Sequence, residues 1–297
     1  MKKIITMACI LAAGFTTMMQ AEDTNNEYQT YTWKDVKPYH EVVVEKNIQV
    51  KFVKSDEESI TCTQKGNDFK WKCEKGVLKM TREGGSFPIE KTVSFKFLGI
   101  NVTRTKNVGN IVRFDDNMTV VITGPNVDCI RLSGASAFQT NDTLTSDGDV
   151  FVQMSGATKA QIADIEAQDV NFQLSGSSKA NANVNVTTAT LSLSGSSQIE
   201  ISGKADKHNI ETSGSSSVKS QIENNALTID ASGSSSIVAP SAQKSVVYAS
   251  GSSKIEMNGD VVSLAGSTSG AARIDINGKL QYNTLSTSGA SQVNFAK

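Results

Sequence analysis

Ser-Gly recurs along the second half of this chain at nearly constant intervals. The glycines fall at Gly134, Gly156, Gly176, Gly195, Gly214, Gly233, Gly251, Gly270 and Gly289, separated by 22, 20, 19, 19, 19, 18, 19 and 19 residues, and a serine precedes each one. A fixed period of this size is the signature of stacked supersecondary units. Aligned on the glycine, the apolar positions fall into columns. Four residues before it stand Ile130, Val152, Phe172, Leu191, Ile210, Ile229, Val247 and Leu285, and two before it Leu132, Met154, Leu174 and Leu193. After it the pattern resumes at the fourth residue with Phe138, Ile199, Val218, Ile237, Ile255 and Ile274, and at the sixth with Ile162, Ile201, Met257, Ile276 and Phe295. Steps of two place side chains on one face of a strand, so each unit reads as strand, Ser-Gly corner, strand.

Such a unit cannot bury its apolar face alone. Successive units must stack, each hydrogen-bonded to the next about 4.8 Å away. A β-propeller blade needs about 40 residues, and a leucine-rich repeat needs a helix or an asparagine ladder that these units lack. The expected fold is therefore all-β, a right-handed parallel β-helix, the hand following from crossover chirality. Glycine at the corner serves a positive φ or a close approach between coils. The serine before it is expected to bond its own turn and its stacked copy. In the eighth unit Gly266 occupies the position of the apolar column. The reading there is a four-residue insertion, "GSTSG", extruded as a small loop, with Val262 and Leu264 facing inward.

The rest of the chain is organised around this array. Residues 1–21, "MKKIITMACILAAGFTTMMQA", have two lysines, an apolar stretch too short for a membrane span and a small-residue end, the pattern of a signal peptide. Cys9 also admits a lipoprotein reading. Residues 22–37 read as an extension and 38–297 as one domain. Within it, 38–130 supply irregular first coils and a cap, with an inserted hairpin at 84–117 whose "GGSFPIEK" and "KNVGN" read as loops, and 131–297 supply the regular coils. Cys62 and Cys73 can close a small loop or remain buried thiols, as can Cys129.

Chemistry is scarce. The chain is 38% hydrophobic, 6% aromatic and 20% charged, with a formal net charge of −1, and its basic residues are dispersed, which argues against a nucleic-acid partner. Only His40 and His208 are available as bases, and His208, in "GKADKHNIE", reads as part of a surface bend. A serine without a positioned base is inert. No metal spacing, phosphate-cradling motif or cofactor signature is present. Outward acids at the fifth position after the glycine meet only at Glu256 and Asp275, which read as a solvated face. One strip suggests binding. Lys159, Lys179, Lys254 and Arg273, three residues after the glycine, lie beside the serine ladder and can meet a glycan or another cell-surface polymer.

The stretch "MTVVITGPNVDCIRLSGAS", followed by stacked "LSGSSQIEISGKA" units, resembles the auto-transporter adhesin, head GIN domain family, a bacterial domain of unknown function common in Bacteroidetes. The resemblance covers about residues 38–297. It implies a signal or lipid anchor and a right-handed β-helical body, and it transfers no catalytic residue. Many relatives carry Asp after the corner where this chain has Lys179, Gln198, Ser217 and Lys254, so a role tied to an acidic stripe is not implied. With no translocator barrel or anchoring tail after Lys297, an autotransporter carrying its own pore is not expected. The reading is an exported non-enzymatic β-helical protein of the periplasm or cell surface, adhesin-like or structural, with self-association through exposed strand edges. The alternative is a carbohydrate-active lyase or hydrolase.

Overall fold

A computed structural model describes residues 28–64, 68–83, 85–97, 100–113 and 118–295, with the backbone alone described for 85–113. The signal-peptide reading of residues 1–21, including Cys9, lies outside the described residues. Every described element is a strand, and the strands stack as a parallel β-solenoid of about nine turns.

The coils stack in the register the columns require. Ile130, Val152, Phe172, Leu191, Ile210, Ile229, Val247, Gly266 and Leu285 pair one above the next. Beyond the corner the same holds for Phe138, Ala160, Ala180, Ile199, Val218, Ile237, Ile255, Ile274 and Val293. Apart from the last coil, these side chains form one continuous core. A shift of one residue would turn every one of them to solvent, so the apolar pattern fixes the register.

Two further features were not foreseen. First, a strand face beyond the corner pair contributes another inward column, Val150, Val170, Ala189, His208, Leu227, Ser245 and Leu264, which ends on the exposed Asn283 of the last coil. His208 is thus not on a surface bend. It is wholly buried within the strand Gln198–Thr212. Second, the eighth unit contains no extruded loop. Gly266 keeps its place in the column within the unbroken strand Val261–Thr268, and a Cβ there would lie 2.0 Å from the Val247 carbonyl oxygen. Leu264 is buried as expected, but Val262 is 40% exposed.

The N-terminal coils are ordered differently in space than in sequence. Glu41–Val44 and Ile48–Lys54 pair in parallel with the first Ser-Gly coil, through Cys129–Leu132 and Ala137–Thr140. Lys46 and Asn47, with φ of 62° and 59°, make that coil's corner without glycine. On its other side lie Val77–Arg82 and Met118–Gly124, which form the outermost coil. Its corner is replaced by the excursion of residues 83–117, whose strands Gly85–Phe97 and Ile100–Arg113 pair only with each other, antiparallel. "GGSFPIEK" from residue 85 and "KNVGN" therefore lie in the hairpin's strands, not in loops around it. Antiparallel strands Phe69–Glu74, Ser59–Gln64 and Gln29–Trp33 finish this end.

Candidate functional site at the serine-glycine corner

The nine corner glycines have φ between 68° and 86°. That region is costly for any residue with a Cβ. Stacking adds a second constraint, because from Gly156 to Gly289 a Cβ would come within 2.5–3.0 Å of the carbonyl oxygen of the glycine one coil earlier. The first of the nine, Gly134, stacks on Lys46. The residue after each glycine donates its N–H to that same oxygen, as from Ser196 to Gly176 and from Ser234 to Gly214, both at 2.7 Å. From Gly156 onward glycine is therefore needed twice at the corner, for the turn and for the approach of the neighbouring coil.

The hydroxyl that closes five of the nine corners is not the one expected. It belongs to the serine two residues after the glycine: Ser136, Ser178, Ser197, Ser216 and Ser291 donate to the carbonyl of the serine that precedes the glycine, at 2.6–2.8 Å. In all but the last of these corners that serine is buried, as is Thr158 in the same column, which donates to Ser178 at 2.9 Å. The serine before the glycine bonds the coil before it, as Ser175 to Met154 O and Ser232 to Thr212 O, both 3.2 Å. The outward hydroxyls are those directly after the glycine, Ser177, Ser196, Ser215, Ser234 and Ser252, all exposed. The signal for this division was in the sequence, since an alternating strand that buries the fourth residue after the glycine also buries the second.

On one flank of the corner the four anticipated cations do share a column, running Lys159, Lys179, Gln198, Ser217, Ser236, Lys254, Arg273 and Gln292. Of the four, Arg273 alone makes an ion pair among the described residues. Arg273 donates through Nε to both oxygens of Asp275, at 2.8 and 2.9 Å, and Asn294 donates to the same carboxylate at 2.7 Å. The hydrogen bond from Arg273 holds the Asp275 carboxyl below the usual range. Lys159 and Lys179, stacked in adjacent coils, make no ion pair among the described residues. Adjacent like charges repel, so this is the half of the strip that an anionic group would relieve.

The opposite flank holds an open groove of about 530 Å³ that sequence reading missed. Its wall is the outward column three residues before the glycine, Gln153, Gln173, Ser192, Glu211 and Asp230, and its floor includes Ser155, Ser175, Ser194, Ser213 and Ser232. The column continues to Tyr248, which is 47% exposed. Glu211 and Asp230 stand directly opposite each other in adjacent coils.

The histidines and thiols do not line this groove. His40 pairs with Asp128 at 2.9 Å in the N-terminal coils. Neither ring nitrogen of His208 has a hydrogen-bond partner, and burial pushes its pKa down to about 4. Cys62, Cys73 and Cys129 are free thiols; burial pushes Cys62 up to about 12 and raises the other two. Among the described residues no cluster of three or more His, Cys, Asp or Glu could hold a metal ion, and no helix is long and apolar enough to cross a membrane.

A family model described as "Putative auto-transporter adhesin, head GIN domain" matches residues 38–260, while the coils continue without a break to residue 295. Solved structures of similar fold include a "putative adhesin" from Parabacteroides merdae (TM-score 0.61, 13% identity) and a "Putative lipid binding protein" from Parabacteroides distasonis (TM-score 0.59, 16% identity). A second "putative adhesin" from Parabacteroides distasonis has a TM-score of 0.57 at 16% identity. Each alignment covers 92% of this chain and 98% of the other. At these identities the likeness is one of fold. No curated protein matches the sequence.

Proposed function

From the premise that this chain belongs to the head GIN domain family, we propose that it is an exported, non-enzymatic, adhesin-like binding module of the periplasm or cell surface. Its Ser-Gly corner and the lysine-bearing column beside it hold a repetitive polymer, an acidic glycan being the best chemical fit to Lys159 and Lys179. Export rests on the composition of residues 1–21. The observation that carries the reading is periodicity. Outward polar groups recur once per coil along an open face, with the unpaired Lys159 and Lys179 in two adjacent coils, and a polymer whose own repeat matches that spacing engages many weak contacts at once.

One observation favours a second reading, a glycoside hydrolase. Glu211 and Asp230 face the same groove from adjacent coils, and coil spacing of about 4.8 Å approaches the roughly 5 Å carboxyl separation of retaining enzymes. The groove is open along its length, however, and does not exclude water from a reacting centre.

The test is an array of glycans and cell-wall polymers probed with the purified protein, with product analysis of the same wells. Binding without turnover, weakened at least tenfold by Lys159→Glu with Lys179→Glu and by raised salt, is the expected result. Products that disappear in Glu211→Gln would replace this reading with the hydrolase.

A further inference from the structure

The two ends of the solenoid are finished differently. At the N-terminal end three antiparallel strands extend beyond the outermost coil, and Trp33 packs against Phe69 and Trp71 with ring centroids 5.8 and 5.9 Å away. At the other end the last described coil, Leu280–Thr287 and Gln292–Phe295, pairs on one side only. Its far edge carries no strand among the described residues. Phe295 ends a column that is fully buried at Met257 and Ile276, yet is itself 43% exposed, and Leu285 and Val293 are only half-buried.

Composition sets this coil apart again. Residues 280–295, "LQYNTLSTSGASQVNF", contain no Asp, Glu, Lys, Arg or His, whereas the same window around each of the eight preceding corner glycines contains at least one charge. Exposed sheet edges are ordinarily guarded by charge, lysine above all. Here the guard is missing from the coil whose backbone edge and core are both open.

We propose that this edge is a dimer interface, in which two copies of the chain pair tail to tail about a two-fold axis, the terminal strands of one antiparallel to those of its partner. A two-fold contact sets one surface against itself, so any charge near the axis would meet its own kind. A neutral patch with an apolar centre of Leu285, Val293 and Phe295 and an amide rim of Gln281, Asn283 and Asn294 meets that condition. Continuing the parallel ladder head to tail is disfavoured, because the edge of the outermost N-terminal coil is already taken by strands that run antiparallel to it. A two-fold contact between terminal coils closes at two copies.

Sedimentation velocity with light scattering, from low micromolar concentration upward, tests this. The protein should approach twice the monomer mass, and Gln281→Lys with Gln292→Lys, which restores an edge guard at two exposed positions, should weaken the dimer at least tenfold while leaving the monomer's melting temperature unchanged. A monomer at every concentration would overturn the proposal. So would a dimer indifferent to the two lysines, or assemblies that continue to grow past two.

Discussion

His208 sits in a column with Ala189 on one side and Leu227 on the other, fully enclosed, with no partner for either nitrogen. The surrounding letters, "GKADKHNIE", describe a surface bend by polarity. The strand alternation nevertheless runs straight through them, turning Lys207 and Asn209 outward and His208 inward; polarity misplaced the side chain, and the alternation places it. Burial without compensation has a thermodynamic consequence. The folded-state pKa is about 4 against an ordinary 6.5, so between those values the unfolded chain binds the proton and the folded chain does not. Stability from this group is complete above pH 6.5 and declines as pH falls toward 4, by about 3 kcal/mol in all. His208→Leu should abolish that component. Denaturant titrations of both proteins should show the variant gaining on the parent steadily from pH 7 to pH 4.5, and parallel pH profiles would refute the assignment.

At the scale of strands and coils, what the sequence made legible was whatever repeats. The paired apolar columns, the corner glycines and the alignment of Lys159, Lys179, Lys254 and Arg273 in one line could all be read from spacing. The closing serine and Gly266 were misplaced where a small residue stood for two different roles. The N-terminal coils were less accessible still. Glu41–Val44 pairs with Cys129–Leu132 and with Val77–Arg82, contacts between distant segments that share no motif, and its corner uses Lys46 and Asn47 in the left-handed region in place of Ser-Gly. The same topology explains why a long excursion is tolerated at 83–117. It leaves and rejoins one coil at a corner, between Arg82 and Met118, and its two strands hydrogen-bond only to each other, so the solenoid's ladder does not depend on it. Replacing residues 84–117 by a short Asn-Gly corner should leave the β circular-dichroism spectrum intact and move the melting temperature by only a few degrees. Loss of cooperative unfolding would mean that the hairpin is part of the fold's support.

Taken whole, the molecule is close to one-dimensional: from Cys129 onward each coil touches chiefly the coil before and the coil after, and stability is a chain of nearest-neighbour interfaces. In such a chain the ends decide where unfolding begins. The N-terminal end is held by antiparallel strands and by the contacts of Trp33, Phe69 and Trp71, whereas the terminal coil at 280–295 has one neighbour and a half-open core. Opening should therefore start at the C-terminus and propagate inward, each coil exposing the interface of the next. Native-state hydrogen exchange, at dilutions where the protein is monomeric, should show protection lowest in 280–295, rising through 261–277, and highest in the long strands of 179–231. Trp33→Ala should add a second weak end, raising exchange in 41–54 while leaving 261–295 as before, because no contact carries the loss across the intervening coils. If that substitution instead accelerated exchange equally everywhere, the solenoid would be unfolding as a single cooperative unit, and the nearest-neighbour account of its stability would have to be abandoned.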